Sequence, residues 1–551
     1  MPTIAPAPQA PVGRPSRNPL WTSLALALWL ATLGNLPLWK ALWALPDLAG
    51  TRGLLFMAGA ALALTAAAMV LLAPLAWPRI TRPLGLLCLA MAAGSTHFML
   101  AYGVVIDPGM MTNTLQTDAR EVRDLLSPAM LWTLAWGLLL PGLWLLRQRP
   151  LRQPWRRQLR QNLATMALAL AAAVGLLLAG FQDLAPLMRN HKSVRYMINP
   201  YNTLWSTARA LAGPVQERPL QALGTDARIA QDWKQPPLLV LVVGETARAA
   251  NFGLGGYERD TTPQLKALLA EGDLSYFRQV ASCGTSTQAS LPCMFSHLGR
   301  EAFVDSKDRY ENLLDVLQHA GMAVLWVDNQ SGCKGLCDRV PTVETRGLKH
   351  PTLCNDSECF DEIMLEGLDE RIAQLDPARR AKGVVLVMHQ MGSHGPAYFK
   401  RTPAAFKAFQ PECESNALQQ CDRQAVVNAY DNTIRYTDQL LARTVAWLKA
   451  HPQPSALLYV SDHGESLGEN NLYLHGLPYA IAPETQKHVP MVTWVSPALR
   501  EARGWAAGCL KAQADQPLSH DNLFHSMLGL AGVSTNAYQA PLDLFGACAP
   551  R

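Results

Sequence analysis

The stretch PLLVLVVGE (237–245) is a run of Leu and Val with no polar side chain until it closes on Glu245. An unbroken apolar run rich in β-branched residues is the pattern of a strand buried on both faces; a half-exposed strand would alternate. AVLWVD (323–328), GVVLVMH (383–389), ALLYVSDHGE (456–465) and VPMVTWVS (489–496) read the same way. Amphipathic stretches such as YENLLDVLQHAG and NAYDNTIRYTDQLLARTVAWLKAH lie between them. Strands alternating with helices predict a three-layer α/β domain on a parallel sheet.

Ligands of such sheets bind outside the carboxyl ends of the strands, and polar residues gather there. Glu245 ends the first run, Asp462 and His463 follow ALLYVS, His394 follows GVVLVMH after a short glycine-containing loop, and His475 lies beyond His463. Any one of these alone reads as a capped or solvated loop residue. Together, carboxylate and imidazole donors suit a borderline-soft divalent cation, with zinc the natural choice. A nucleophile should stand nearby. SCGTSTQASLPCMFS (282–296) offers Ser282, Thr285, Ser286 and Thr287 between Cys283 and Cys293, although such a cluster also reads as helix capping.

Upstream the composition changes. Five apolar runs, approximately Leu20–Trp39, Leu54–Trp77, Leu84–Ile106, Leu125–Leu146 and Leu163–Phe181, are each long enough, at roughly 20 residues, to cross a bilayer. The first is too long for a cleaved signal, and no clear small-residue cleavage site follows it. Arg14 and Arg17, Arg79 and Arg82, and the six arginines 147, 149, 152, 156, 157 and 160 fall in alternate loops, which the positive-inside rule makes cytoplasmic. Everything after Phe181 is then extracytoplasmic, against the weaker contrary signal of Arg189, Lys192 and Arg195. This predicts a five-helix transmembrane anchor over 1–181, an interfacial linker over 182–235 and a catalytic α/β domain over 236–551. The polar excursion DPGMMTNTLQTDAREVRD (107–124) spaces Asn113, Thr117 and Glu121 at i, i+4 and i+8, so one helix would present all three on a face. That face is either an ordinary solvated helix or a holder of a lipid headgroup.

The net charge of +5 over 551 residues belongs to this topology and does not indicate nucleic acid. Ten of the eleven cysteines lie in the second half, mostly as close pairs, which favours disulfides in an oxidising compartment. The competing reading is a zinc ribbon from Cys333, Cys337, Cys354 and Cys359.

VVGETAR (242–248), CGTSTQASLPCMFS (283–296), GSHGP (392–396), SDHGESLGEN (461–470) and YLHG (473–476), in that order, closely resemble the phosphoethanolamine transferases of the alkaline phosphatase/sulfatase superfamily, including the mobile colistin-resistance enzymes. RNHKSVRYMINP (189–200) is similar to the family's connector, so the resemblance spans essentially the whole chain. It implies a bacterial inner-membrane, multi-pass enzyme with its catalytic domain in the periplasm. Such an enzyme would move phosphoethanolamine from phosphatidylethanolamine to a lipid A phosphate, which lowers affinity for polymyxin. The nucleophile falls on Thr287, and a zinc site on Glu245, Thr287, Asp462 and His463. His394 and His475 fall on the pair that holds a second zinc or the transferred group. Asn329 and Lys334 fall where the family contacts phosphoethanolamine, and Asn113, Thr117 and Glu121 on the lipid-holding positions. The resemblance pairs Cys283 with Cys293, Cys333 with Cys337, Cys354 with Cys359 and Cys413 with Cys421, leaving Cys509 and Cys548 for each other. A monomer is expected.

Rival readings are weaker. A sulfatase needs a C-x-P-x-R setting, and Gly-Thr-Ser follows Cys283 instead. The CGTST…PCMFS string argues against a phosphoglycerol transferase. A related transferase acting on an inner-core sugar or a protein stays open, and a non-catalytic receptor with structural zinc requires a dispensable Thr287.

Overall fold

The computed structural model describes residues 16–48, 50–117, 119–212, 218–355 and 358–549. Arg14, Asp118 and linker residues 213–217 lie outside them. The chain divides into two compact units. The first holds the described residues up to Leu100 with Val105–Asp107 and Pro128–Thr207; the second holds Ala101–Val104, Pro108–Ser127 and Ala208 onward.

Among the described residues, five helices, lying almost wholly in the first unit, are long and apolar enough to cross a membrane: Pro19–Trp43, Gly50–Leu72, Thr81–Tyr102, Pro128–Arg147 and Trp155–Ala179. Their bounds differ from the apolar runs for local reasons. The second ends ahead of Pro74, and the third ends at Tyr102, before Gly103, whose φ of +71° suits the position after a helix C-terminus. The fifth starts at Trp155 rather than Leu163, so Arg156, Arg157 and Arg160 ride on its first turns. Buried amides are satisfied within the unit, as a lipid-embedded helix set requires. Asn35 Nδ2 donates to the carbonyls of Leu30 and Asn199, each at 2.7 Å, and its Oδ1 accepts the Asn199 amide at 2.8 Å. Ser95 and Thr203 hydroxyls pair at 2.7 Å. Asn199 and Thr203 come from the connector, so its polar residues pack among the spans.

The second unit carries a sheet of seven strands: β1 (Leu238–Gly244), β2 (Leu274–Phe277), β3 (Ala323–Asp328), β4 (Thr342–Glu344), β5 (Val384–His389), β6 (Ser455–Ser461) and β7 (Met491–Val495). Their order is β2-β7-β6-β1-β5-β3-β4. The sheet is parallel except for β7, which runs antiparallel to both neighbours. The apolar run VPMVTWVS gives no direction, because burial on both faces is the same for either sense.

Among the unit's helices, those used below are α1 (Pro108–Gln116), α2 (Ala119–Leu125), α3 (Pro263–Glu271), α4 (Thr287–Met294), α5 (Leu313–His319), α6 (Arg423–Lys449) and α7 (Asp521–Ala531). A capping box starts α5: Asn312 Oδ1 accepts the Leu314 amide and Asp315 the Asn312 amide, each at 2.8 Å. The long α6 buries Tyr430, Ile434, Thr437, Leu441, Val445 and Leu448 at helical spacing and packs on β6. Helices α4, α5 and α7 pack together within the main core, which gives the sheet its covering layers. Disulfides join Cys283–Cys293, Cys333–Cys337, Cys354–Cys359, Cys413–Cys421 and Cys509–Cys548, which removes the four-cysteine zinc ribbon. Cys88 is free and buried.

Candidate active site

Register decides where the chemistry sits. Ser461 of β6 pairs with Gly244 of β1, and Val243 of β1 with His389 of β5, so the residues that follow these strands emerge at one edge. Glu245, Asp462 and His463 emerge together, fully buried, with one ligand atom of each within 4.8 Å of the others. Gly392 lets the neighbouring loop approach: its φ is +53°, and a Cβ there would lie 2.7 Å from the Glu245 carbonyl oxygen.

Thr287 opens α4, where unpaired helix amides favour an anion. Its hydroxyl lies 3.2 and 3.1 Å from the two Glu245 carboxylate oxygens and 3.5 Å from His463 Nε2. The other hydroxyls of that loop have different work. Ser282 donates to the Gly284 carbonyl and Thr285 to the Leu477 carbonyl, each at 2.6 Å. The Gly476 amide in turn donates to the Thr285 carbonyl at 2.7 Å, which ties the Thr287 loop to the His475 loop.

The trio fits a divalent cation. Asp462 Oδ1 accepts the amides of Thr246 and His463 at 3.0 and 2.7 Å, whereas its Oδ2 is buried with no hydrogen-bond partner. His463 Nδ1–H donates to the Gly464 carbonyl at 2.9 Å, which leaves the Nε2 lone pair facing Glu245 and Asp462. Electrostatics agree. Burial favours the neutral Glu245 carboxyl, but the hydrogen bond and charge of His463 hold it well below the usual carboxylate range. Asp462 is pushed up to about 6 by burial and by the adjacent Glu245 charge. His463 is raised to about 9 because the two carboxylates outweigh the burial that opposes its charge. Two buried carboxylates thus demand a positive charge, and a cation in place of the imidazolium proton would supply it.

A second cluster adjoins the first. The rings of His463 and His475 lie 4.3 Å apart, and those of His475 and His394 5.7 Å apart. His394 Nδ1 is buried without a hydrogen-bond partner. Burial and the charges of His463 and His394 push His475 well below its usual value. Glu465, 3.4 Å from His475 Nδ1, is pushed up to about 8 by burial.

Helix α1 stops at Gln116, so Asn113, Thr117 and Glu121 do not share one continuous helix as their spacing predicted. The Thr117 hydroxyl turns back on the Asn113 carbonyl at 2.8 Å, the local competition that Thr offers a helix end. The segment still meets the site: Asn113 lies near Gly476, and the Glu121 charge acts on His475. Asn329 is buried with its side chain engaged. Its Nδ2 donates to the Cys359 carbonyl and Asp361, and its Oδ1 accepts from Thr345. These bonds brace the loop that carries Asn329. Lys334 is half-buried on left-handed backbone within the Cys333–Cys337 ring.

Three residues escaped the sequence. Gln330 donates to Glu245 Oε2 at 3.1 Å. Asp361 accepts the amides of Met391 and Gly392 at 2.8 and 2.9 Å, fixing the loop that leads to His394. His520 accepts the Cys283 amide at Nδ1 (3.0 Å) and donates from Nε2 to the Ser461 carbonyl (2.9 Å). Gln330 sits next to Asn329 in DNQSGCK, but that string does not point to Glu245; Asp361 and His520 lie in no motif, and only the folded chain brings these contacts together.

Comparison with known proteins follows the same division. A family profile described as phosphoethanolamine transferase EptA/EptB matches residues 64–214, and one described as sulfatase matches residues 237–533. Phosphoethanolamine transferase EptA of Escherichia coli K12 is 39% identical over 97% of this chain and 98% of its own length. Phosphatidylethanolamine transferase Mcr-1 of Escherichia coli is 37% identical over 83% of this chain and 84% of its own. The integral membrane lipooligosaccharide phosphoethanolamine transferase A of Neisseria meningitidis superposes with a TM-score of 0.92 at 35% identity, covering 98% of this chain and all of that one.

Proposed function

This chain belongs to the phosphoethanolamine transferase family, and on that premise we propose that it transfers phosphoethanolamine from phosphatidylethanolamine to a phosphate of lipid A through a phosphothreonine at Thr287. The observation that carries the reading is the Thr287 hydroxyl, held against Glu245 and His463 at the N-terminus of α4.

Thr287 Oγ1 attacks phosphorus, the Oγ1–P bond forms, and the bond to the glyceryl oxygen breaks to release diacylglycerol. Glu245 orients the hydroxyl and accepts its hydrogen bond. The α4 amides face the charge on the phosphoryl oxygens. His394 and His475 bind those oxygens, and the proton leaving Oγ1 passes by way of His394 to the glyceryl oxygen, since His475, pushed well below its usual value, carries no spare proton. A lipid A phosphate oxygen then attacks the same phosphorus and breaks the Oγ1–P bond, and the proton of that phosphate returns by the same route to Oγ1, restoring Thr287. Glu245, Asp462 and His463, with Thr287, would hold a zinc ion, which when bound lowers the pKa of a hydroxyl and neutralises phosphoryl charge. Asn113, Thr117 and Glu121 serve the lipid headgroup. The five spans hold the catalytic unit, assigned to the periplasmic side of the inner membrane, near both lipid substrates and raise their effective concentration.

A second reading changes only the acceptor. Kdo(2)-lipid A phosphoethanolamine 7″-transferase of Escherichia coli K12 is 31% identical over 54% of this chain, so an inner-core sugar is the alternative. Mass spectrometry of lipid A from cells expressing wild type or Thr287→Ala tests both points. The expected result is a phosphoethanolamine adduct on lipid A with wild type alone. An adduct that persists in the variant overturns the nucleophile, and one confined to the core sugar overturns the acceptor.

A further inference from the structure

Arg401 is used by none of the chemistry above, yet its side chain is only 3% exposed and binds three separate segments. Its Nε donates to the carbonyl of His394 at 3.0 Å. Its Nη1 pairs with Glu358, beside the Cys354–Cys359 disulfide. Its Nη2 pairs with Asp124 of α2 at 3.1 Å, and the adjacent Lys400 reaches the other Asp124 oxygen at 2.5 Å. A planar guanidinium directs its donors along fixed lines, so three acceptors held at once fix three backbones relative to one another. Asp124 stands three residues after Glu121 in α2 and therefore on a neighbouring part of the helix surface. Asp361 already holds the other end of the His394 loop through the Met391 and Gly392 amides. The Arg401 bond to the His394 carbonyl is thus the second anchor of a loop whose first anchor is internal to the sheet edge.

We propose that Asp124 and Arg401 form a brace that sets the segment 108–127 against the His394 loop, making both residues positioning residues for the donor lipid. The inference rests on the proposed function, which gives Asn113, Thr117 and Glu121 to the headgroup. Without the brace, the Asp124 end of α2 is no longer held against the His394 loop, and lipid capture weakens while the Glu245–Asp462–His463 trio is untouched.

The test uses the full-length protein in detergent, with Asp124→Ala and Asp124→Glu. Two substrates are compared: phosphatidylethanolamine in mixed micelles and a water-soluble aryl ester of phosphoethanolamine. The expected result for Asp124→Ala is a KM for the lipid raised about five-fold or more, with hydrolysis of the soluble ester within about two-fold of wild type, and partial recovery in Asp124→Glu. Equal loss on both substrates, or an unchanged lipid KM, overturns the brace. Amide hydrogen exchange separates this from the functional reading. Asp124→Ala should lose protection over residues 108–127 alone, and unchanged protection there overturns the brace whatever the protein's activity. Wild type that leaves both substrates intact overturns the proposed function instead.

Discussion

Thr287 and Glu245 face each other across the sheet edge, with one hydroxyl shared between both carboxylate oxygens at 3.2 and 3.1 Å. Under the proposed function that geometry would make Glu245 both a cation ligand and the orienting partner of the nucleophile. Glu245→Gln keeps shape and one acceptor but loses the charge, and is expected to lower transfer by about 10²–10⁴-fold with little change in donor KM. Rates measured with a fluorescent phosphatidylethanolamine check this, and a raised KM at constant kcat would point to binding instead.

The buried Asp462 Oδ2 has no hydrogen-bond partner, so the trio should be less stable once stripped of a cation. Treatment with a zinc chelator is expected to abolish transfer and lower the melting temperature, and added zinc should restore both. In Asp462→Asn the chelator should leave the melting temperature unmoved. Calorimetry on the detergent-solubilised protein reads the difference.

His520 gives the pH prediction. Burial pushes its pKa down to about 4, and both ring nitrogens are committed in the neutral tautomer. In the unfolded chain the same group titrates near 6.5. Between these values the unfolded state binds more protons, so the stabilising contribution is complete above about 6.5 and is lost as pH falls toward 4. The full effect is on the order of 3 kcal/mol. Urea denaturation across pH 4–7 should show a shallower slope in His520→Gln; equal slopes would remove His520 as the source.

In the membrane unit, Asn35→Ala leaves two carbonyls and the Asn199 amide without their partner. A cost of about 1–3 kcal/mol is expected, seen as a lower melting temperature. Asn35→Gln is not expected to rescue it, because the longer side chain overreaches a contact made at 2.7 Å.

Much of this was legible in the chain because strand-end residues follow from the pattern itself. PLLVLVVGE and ALLYVSDHGE become neighbouring parallel strands, so Glu245 and Asp462 had to meet once the register was set. The direction of β7 was not legible, since an apolar run carries no sense of orientation. Nor was the break after Gln116, where a hydroxyl takes over a helix-end carbonyl. The string around Asn329 did not show that its amide would bond Cys359, Asp361 and Thr345, nor that the adjacent Gln330 would reach Glu245, because those partners lie far away in the chain. His520 and Arg401 act through bonds to residues 237 and 7 positions away, and no periodicity predicts such partners.

The pairing of Ser461 with Gly244 has one more consequence. A slip of β6 by a single residue would turn Asp462 to the opposite face of the sheet and dismantle the trio. A cation bound by the trio, as proposed, would stabilise one alignment of the strands and no other, so its uptake would act as a proofreader of folding. Chains that mispair early would go unclaimed by the metal, and metal content would then measure the correctly threaded fraction.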